Sequence, residues 1–171
     1  MYSFAALLRN NTDLSSRTTL KQEVSFIEKY VFLYQVRFPD RLAYQFTVAD
    51  DVAAVEIPKF SLQPLVENYF VHGVNFSRVD NALSLKAWRE AGIVHVKIVD
   101  NGRGLSPEAV KAVNQKLKQP LAAEQQHSIG LQNVYSRMHD SFGDGFKMTI
   151  NSNDQQGVTV LLQFDDREGV K

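Results

Sequence analysis

The sequence predicts an α/β fold of two layers, an α+β sandwich with a mixed, mostly antiparallel sheet and helices on one of its faces. Two observations support this prediction. Stretches in which every second residue is apolar alternate along the chain with stretches whose apolar residues recur every three or four positions, as in strands and amphipathic helices. Most of the strand-like stretches are joined by short turns, so they pair as antiparallel hairpins whose apolar face the helices cover.

The composition is that of one globular domain. The chain has 171 residues, of which 44% are hydrophobic and 22% are charged. Its 19 basic and 19 acidic residues give a formal net charge of zero, which argues against a nucleic-acid groove and against a polybasic contact with a membrane. The absence of cysteine excludes disulfides and thiolate chemistry, and no apolar run reaches the ~20 residues that cross a bilayer.

The N-terminal part is predicted to hold one long helix and one strand. Residues 1–18 combine a short helical end with a polar linker. Thr19 and Gln22 have the spacing of a capping box, and the helix that follows is expected to run to about Arg37. Apolar residues at alternate positions of 42–48 then indicate a half-buried strand, which a connection without regular structure follows.

A second helix is predicted over residues 61–73. Its apolar residues recur at three and four positions, Ser61 is the expected N-cap, and Pro64 lies in the first turn, where a missing N–H is tolerated. One flank carries a carboxylate, two amides and an imidazole, in two pairs that stack four residues apart: Gln63 with Glu67, and Asn68 with His72. By itself, such a flank is more typical of a solvated polar stripe than of a functional site.

The C-terminal half is predicted to contain two hairpins and two helices. The paired strands are 82–88 with 93–100, and 146–151 with 158–164. The helices span 106–118 and 130–142. The residues between these helices, 119–127, show no clear period and are expected to form a mobile loop.

A glycine-rich turn directly follows the strand 93–100. Because side chains alternate along a strand, Asp100 shares the face of three apolar residues and is expected at the edge of the core. A buried carboxylate needs a donor, and the amino group of an adenine is one such donor. Gly102 and Gly104 allow the backbone to turn sharply and to approach a ligand. The alternative is a plain tight turn, for which Asp-Asn-Gly is a common sequence.

Two further stretches carry groups that suit a nucleotide. Ser128-Ile129-Gly130-Leu131 leads from a loop into a helix, and the unpaired N–H groups of a helix N-terminus suit a polyphosphate. Glu67 and Asn68 offer oxygens of the kind that Mg²⁺ prefers, and Mg²⁺ commonly bridges phosphates. Each of these signals is weak by itself, and their order along the chain is far more specific.

In this order the three stretches resemble the GHKL ATP-binding superfamily, which gyrase, a heat-shock chaperone, mismatch-repair ATPases and histidine kinases share. More narrowly, they resemble the catalytic domain of YesM/LytS-like sensor histidine kinases. The matching stretches are Leu62-Gln63-Pro64-Leu65-Val66-Glu67-Asn68 for the N-box, Asp100-Asn101-Gly102-Arg103-Gly104-Leu105 for the first glycine box, and Ile129-Gly130-Leu131-Gln132-Asn133-Val134 with Arg137 for the second. The resemblance covers roughly residues 17–165.

The resemblance implies a Bergerat-type fold with ATP and Mg²⁺ as its ligands. Asn68 would coordinate Mg²⁺ and so take part in catalysis. Asp100 would accept a hydrogen bond from the adenine amino group, beside a wall of the site that Gly102 and Gly104 shape.

The resemblance also assigns residues to the phosphates. The backbone of Ile129, Gly130 and Leu131 would meet the phosphates, and the segment from about 105 to 128 would be the ATP lid. A catalytic role for Glu67, polarising a water or tuning the metal shell, is also implied. His72 would contact a phosphate or the ribose, with capping of its own helix as the alternative.

In kinases of this kind the γ-phosphoryl group goes to a histidine on an upstream dimerisation helix. The four histidines of this chain all lie in the nucleotide-binding part: His72, His95, His127 and His139. The acceptor is therefore expected outside this chain, and the chain is not expected to phosphorylate itself. Residues 1–18 would be the remnant of a dimerisation helix with its linker, and residues 19–171 the catalytic domain.

The resemblance implies partners and a location as well. The expected partners are the dimerisation and phosphoacceptor domain of the parent protein, which would be a homodimer, and a response regulator. No nucleic acid and no direct membrane contact are expected. The expected location is the cytoplasm, with the parent kinase anchored in the cell membrane.

Three positions depart from the family pattern. Val71 stands where close relatives commonly have Lys, Tyr69 where they have a small residue, and Ser128 where the second glycine box begins with Gly. The first two favour an alternative, a nucleotide-binding module without transfer activity whose ATP-ordered lid regulates contacts with partners. A GHKL serine kinase of the anti-sigma type is a further alternative. It needs no acceptor histidine, but it does not normally have this N-box.

Overall fold

The computed structural model describes residues 17–119, 129–154 and 156–167. The predictions for residues 1–16, and for residues 120–127 of the loop, lie outside the described residues. Within the described ranges, no helix is long and apolar enough to cross a membrane.

The described residues form helices and strands close to those predicted. The α-helices are α1 (Leu20–Arg37), α2 (Gln63–Asn68), α3 (Pro107–Leu117) and α4 (Ile129–Phe142). A π-helical turn, Tyr69–Gly73, continues α2, and a 3₁₀ turn, Gly143–Gly145, follows α4. The strands are β1 (Arg17–Thr19), β2 (Leu42–Val48), β3 (Glu56–Pro58), β4 (Asn81–Glu90), β5 (Ile93–Asp100), β6 (Lys147–Ser152) and β7 (Val158–Phe164).

Five strands form the main sheet, in the order β2-β4-β5-β7-β6. β2 pairs with β4 in parallel, because the connection between them crosses over through α2, and the other three pairs are antiparallel. The β4–β5 hairpin closes through Ala91 and Gly92, whose φ angles of 49° and 83° are those that a tight hairpin turn requires. The predicted mixed, mostly antiparallel sheet is confirmed.

One face of the sheet is buried under the helices. Leu83, Leu85 and Ala87 of β4 and Val94, Val96 and Ile98 of β5 point to this face, and all are at most 3% exposed. They join a single core with buried side chains of α1, α2 and α4. On the other face the ring of His95 stacks on Trp88 with centroids 4.9 Å apart. Helices on one face of the sheet are therefore confirmed.

The long helix α1 begins where the sequence predicts. The Gln22 N–H donates to Thr19 Oγ1 at 3.2 Å, and the Thr19 N–H donates to Gln22 Oε1 at 3.1 Å, so both halves of the capping box are present. The helix ends at Arg37, as predicted. Its buried face holds Leu20, Val24, Ile27 and Val31, and this face packs α1 onto the core.

A small two-stranded sheet has no counterpart among the elements predicted from the sequence. β1 and β3 pair antiparallel, with Arg17 opposite Pro58 and Thr19 opposite Glu56. Residues 17–18 were assigned to a linker and residues 56–58 to a connection. Three residues are too few for an alternating pattern to stand out, and a pairing across almost forty residues has no local signal.

The N-cap predicted for α2 was wrong. The helix begins at Gln63, and the hydroxyl of Ser61 donates instead to the Pro58 carbonyl at 2.6 Å. The N–H groups of Leu62 and Gln63 donate to the carboxylate of Glu23 on α1. The cap thus comes from a distant helix, which spacing along the sequence cannot reveal.

The second half of the same helix also differs from the prediction. A regular α-helix was expected to Gly73, whereas Tyr69–Gly73 forms a π turn in which the Val74 N–H donates to the Tyr69 carbonyl, five residues back, at 2.8 Å. A π turn holds more residues per turn than an α-helix, because its hydrogen bonds span five residues instead of four.

Candidate functional site

Six of the predicted site residues line one cavity of about 240 Å³, named here the inner cavity. They come from three stretches that are far apart in sequence: Asn68, His72, Asp100, Gly104, Gly130 and Leu131. The fold thus brings the N-box and both glycine boxes together, since each of the three stretches contributes to the lining.

The walls of the inner cavity are mostly apolar. The sheet contributes four β-branched side chains and the helices three more apolar ones: Ile98, Ile150, Val158 and Val160, and Leu65, Val113 and Leu131. The faces of a flat aromatic group suit such walls, while its polar edges need specific partners.

Asp100 is the only carboxylate among the described residues that line the inner cavity. Its side chain is 9% exposed, and Oδ1 accepts from the N–H groups of Gly102 at 2.7 Å and Val158 at 3.2 Å. Oδ2 accepts no hydrogen bond from the described residues. Burial raises the pKa of Asp100, and the two N–H groups lower it. One oxygen is therefore held by the backbone, and the other remains available to a donor in the cavity.

The two glycines of the first box are required by close backbone contacts. A Cβ at Gly102 would come within 2.8 Å of the Gly73 backbone, which itself lines the inner cavity. Gly104 has a φ of 66°, and a Cβ there would collide with the carbonyl of Gln156. Gly102 thus borders the inner cavity through Gly73, while Gly104 lines it directly.

Two residues of the β6–β7 turn support Asp100, and the sequence analysis did not select them. The Asn153 side chain donates to the Asp100 carbonyl at 2.8 Å and accepts from the Gly157 N–H at 3.1 Å. A Cβ at Gly157 would collide with the carbonyl of Asp100. Their only sequence signal is a turn-forming composition in the predicted hairpin loop, which says nothing about where the loop packs.

A second cavity of about 400 Å³, the outer cavity, adjoins the first. Its lining includes Glu67, Val71 and Arg137 together with Asn68 and Gly130, and the last two line the inner cavity as well. The two cavities therefore meet where the N-box and the second glycine box face each other. Asn133, to which the sequence analysis gave no role, also lines the outer cavity.

The side-chain amide of Asn68 lies half-buried at this junction and makes no hydrogen bond to the described residues. Glu67 beside it is oriented by the Gln63 side-chain amide, which donates to Glu67 Oε1 at 2.6 Å. Among the described residues, no cluster of three or more His, Cys, Asp or Glu could hold a metal ion. An amide oxygen without a partner suits Mg²⁺, which keeps several waters and is commonly completed by phosphate oxygens.

The residues at the end of α2 and in the π turn divide between the two cavities. His72 lines the inner cavity, Glu67 and Val71 line the outer one, and Asn68 lines both. His72 is exposed and makes no hydrogen bond to the described residues, so it does not cap its helix. The alternative that His72 is a capping residue was therefore wrong.

Tyr69 and Val71 both depart from the family pattern, but one is buried and the other is exposed. Tyr69 is 3% exposed, its ring lies edge-on to Phe70 with centroids 5.3 Å apart, and it leaves no room for a Cβ at Gly73. Tyr69 is thus a core residue that forms part of the cavity wall. Val71 is 69% exposed and is not part of the core. Ser128, the third departure, lies outside the described residues.

Gly130 is the second residue of α4, and Ile129 is the first. A Cβ built at Gly130 would meet no heavy atom within 4 Å. Packing of the described residues therefore does not require a glycine here, in contrast to Gly102 and Gly104. Open space beside the N–H groups of a helix N-terminus suits the close approach of an anionic ligand.

Comparison with known proteins agrees with this geometry. Residues 59–168 match the family of histidine kinase-, DNA gyrase B- and HSP90-like ATPases, and residues 1–42 match a histidine kinase family. The chain is 25% identical over 169 residues to the sensor histidine kinase YesM of Bacillus subtilis, and 26% identical over 166 residues to the sensor protein LytS of Oceanobacillus iheyensis. It covers 27% and 28% of the length of these two relatives.

Solved structures show the same fold. The catalytic domain of the histidine kinase ThkA superposes with a TM-score of 0.58 at 15% identity, over 88% of this chain and 94% of that one. The histidine kinase domain of a blue-light-activated kinase from Erythrobacter litoralis gives 0.59 at 9% identity, over 95% of this chain and 69% of that one. The chain belongs to the histidine kinase-, DNA gyrase B- and HSP90-like ATPase family and is the ATP-binding catalytic domain of a sensor histidine kinase.

Proposed function

We propose that this domain holds ATP with Mg²⁺ across the two cavities and delivers the γ-phosphoryl group to a histidine outside this chain. The observation that best supports the proposal is the environment of Asp100. One of its oxygens is engaged by two backbone N–H groups, and the other has no partner among the described residues in a cavity with apolar walls. This arrangement suits an aromatic base that presents an amino group.

In this proposal the adenine lies in the inner cavity. Its faces pack against apolar side chains such as Ile98 and Leu65, and its amino group donates to Asp100 Oδ2. Guanine has a carbonyl oxygen at the equivalent position, so it would meet a carboxylate with an acceptor. The site is therefore expected to prefer ATP to GTP.

The phosphates would extend past the junction of the cavities, at Asn68 and Gly130. The N–H groups at the start of α4, from the backbone of Ile129, Gly130 and Leu131, would face anionic oxygens there. Asn68 offers an amide oxygen to Mg²⁺, and Glu67 would orient water in the outer cavity. ATP supplies the phosphoryl group, and Mg²⁺ neutralises its charge; the residues of the chain supply position and a polar environment.

The described histidines support an acceptor outside this chain. His95 stacks on Trp88 on the outer face of the sheet, and His139 Nε2 lies 3.4 Å from Asp144 Oδ1. Neither lines the inner or the outer cavity. His72 lines the inner cavity, where it would meet the ribose or a phosphate of the bound nucleotide and not the γ-phosphoryl as an acceptor. His127 lies outside the described residues.

The relatives support proposals about the whole protein. Because YesM and LytS are each more than three times as long as this chain, we propose that residues 1–18 are the remnant of a dimerisation helix with its linker and that residues 19–171 form the catalytic domain. The partners would be the phosphoacceptor domain of a homodimeric parent and a response regulator. The domain would act in the cytoplasm, and the parent would be anchored in the cell membrane.

Phosphoryl transfer can be tested with labelled ATP. The chain incubated with Mg²⁺ and γ-labelled ATP is expected to remain unlabelled, because a catalytic domain without a tethered acceptor has no positioned nucleophile. A separately supplied dimerisation domain of a YesM-like kinase is expected to gain acid-labile label, and its variant without the acceptor histidine is not.

Acid-labile label on the chain alone would contradict the expected absence of self-phosphorylation. The rival function, nucleotide binding without transfer, is favoured by Val71, which supplies no cation to the outer cavity. It predicts ATP binding with no label on either partner.

Val71→Lys is expected to tighten ATP binding by up to about tenfold. Val71 is exposed and lines the outer cavity, so a Lys there can reach the phosphates without entering the core. A hydrogen bond to a charged group contributes about 1.5–3 kcal/mol, and a partly solvated one falls at the lower end, where ~1.4 kcal/mol is a factor of ten. Titration calorimetry with ATP and with adenosine measures the effect, which adenosine should not show and high salt should reduce.

Val79→Lys is the matched control for this variant. Val79 is 70% exposed, as Val71 is, but it lines neither cavity. It is expected to leave ATP affinity unchanged. If both substitutions raised ATP affinity equally, the gain would come from the added net charge alone, and Val71 would not belong to the phosphate site.

A further inference from the structure

Glu23 lies on α1 and lines neither cavity, yet its carboxylate contacts the helix that carries Asn68. Its side chain is 5% exposed. Oε1 accepts from the Leu62 N–H at 2.6 Å and from the Gln63 N–H at 3.4 Å, and Oε2 has no hydrogen-bond partner among the described residues. A carboxyl group that accepts hydrogen bonds is thus buried at the start of α2.

No residue of α2 itself can supply this cap. The residue at the N-cap position is Leu62, which has no acceptor side chain, and the Ser61 hydroxyl donates to the Pro58 carbonyl. Leu62 and Gln63 are at most 1% exposed, so water does not reach their N–H groups easily. Without Glu23, the start of α2 would hold buried donors without an acceptor, which is strongly unfavourable.

The segment before α2 also contacts α4. The guanidinium of Arg137 donates to the Phe60 carbonyl at 2.7 Å. The pKa of Glu23 is raised to about 7, because the effect of burial outweighs the N–H groups of Leu62 and Gln63 and the positive charge of Arg137, which lower it. The segment that leads into α2 therefore lies between a carboxylate of α1 and a guanidinium of α4.

We infer that Glu23 is a positioning residue of the nucleotide site: by capping α2, it fixes the end of that helix at which Asn68 meets both cavities. The inference rests on the proposed function. The helix has only six residues, Gln63–Asn68, and is therefore about 9 Å long. So short a helix moves as a rigid unit, and a shift at its first turn therefore displaces Asn68 at its last residue. The adenine end of the site depends less on this cap, because Asp100 and Ile98 lie on the sheet and α2 contributes the apolar side chain of Leu65.

A positioning role predicts that loss of Glu23 weakens binding at the phosphate end of the ligand more than at the adenine end. Glu23→Ala is expected to weaken Mg-ATP binding by roughly fivefold, the effect of a lost helix cap, and adenosine binding by less than about twofold. Glu23→Gln keeps an acceptor oxygen at the same place and is expected to restore most of the Mg-ATP affinity. A residue that acts only through the stability of the fold would not distinguish the two ligands.

Val24→Ala is the matched control on the same helix. Val24 is 4% exposed in the core and makes no contact of this kind with α2. Its truncation is expected to lower the melting temperature and to leave both affinities unchanged. Affinities are measured by titration calorimetry, well below the melting temperature of every variant, and circular dichroism records stability.

The outcomes decide between the inference and the function on which it rests. Unchanged Mg-ATP affinity in Glu23→Ala, equal losses for Mg-ATP and adenosine, or an equal loss in Val24→Ala would overturn the positioning role alone. If Glu23→Ala does not fold, Glu23→Asp takes its place, because it withdraws the carboxylate by one methylene group. It is then expected to weaken Mg-ATP and to spare adenosine, and unchanged affinity would overturn the inference. A wild-type chain that binds no Mg-ATP would overturn the proposed function, and the inference with it.

Discussion

Asp100→Asn is expected to weaken ATP binding by about ten- to a hundredfold and to leave the fold intact. In the wild-type chain the N–H groups of Gly102 and Val158 donate to Asp100 Oδ1, and the carbonyl oxygen of an Asn side chain can still accept from both. The new amide group then replaces Oδ2 and presents a donor to the adenine amino group, so the site loses a charge-assisted hydrogen bond. Such a bond contributes about 1.5–3 kcal/mol, which corresponds to roughly this change in affinity.

Titration calorimetry with ATP and GTP, together with a melting curve, measures this prediction. The preference for ATP over GTP should shrink as ATP affinity falls. Asp51→Asn is the matched control, because Asp51 lies on the surface 3.8 Å from Arg89 and lines neither cavity. Equal affinity of the wild-type chain for ATP and GTP would contradict the role assigned to Asp100.

Gly104→Ala and Gly130→Ala are expected to have opposite effects on stability. Gly104 has a φ of 66°, and a Cβ there would collide with the Gln156 carbonyl. The strained backbone alone costs about 1–3 kcal/mol. In a chain of this size that lowers the melting temperature by roughly 3–10 °C, since 1 kcal/mol shifts it by about 2–4 °C.

Gly130→Ala is expected to leave the melting temperature unchanged or to raise it slightly. No heavy atom lies within 4 Å of the new methyl group, and Ala is favoured over Gly in a helix by about 1 kcal/mol. The methyl group nevertheless stands at the junction of the two cavities and obstructs the approach of a phosphate to the backbone. ATP binding is therefore expected to fall by roughly three- to tenfold, the equivalent of one lost hydrogen bond.

The pair of variants is measured by thermal melting and by ATP titration. Each variant serves as the control of the other, since the substitution is the same and both glycines line the inner cavity. A destabilised Gly130→Ala protein would show that an unrecognised packing contact, and not a ligand, requires this glycine. Unchanged ATP affinity in a stable Gly130→Ala protein would remove α4 from the phosphate site.

Features with a local cause were predictable from the sequence. The capping box of Thr19 and Gln22, the alternation that buries one face of β5, and the tight turn at Ala91 and Gly92 each depend on neighbours within a few residues. The order of the N-box and the two glycine boxes along the chain could also be read from the sequence, and through the family resemblance it predicted six residues that line the inner cavity. Turns, caps and the periodicity of side chains depend directly on the order of nearby residues, so the sequence is enough to predict them.

Contacts between distant segments were decided by the tertiary structure alone. Glu23 caps α2 across about forty residues of sequence, Gly157 packs against Asp100, and β1 pairs with β3, and none of these contacts has a local signal. The cavities themselves likewise exist only in the folded chain, where His72 lines the inner one and Val71 the outer one. The residue types of the site therefore come from the sequence. The direction of each side chain depends on how the packed elements satisfy their buried backbone groups, and only the folded chain determines that.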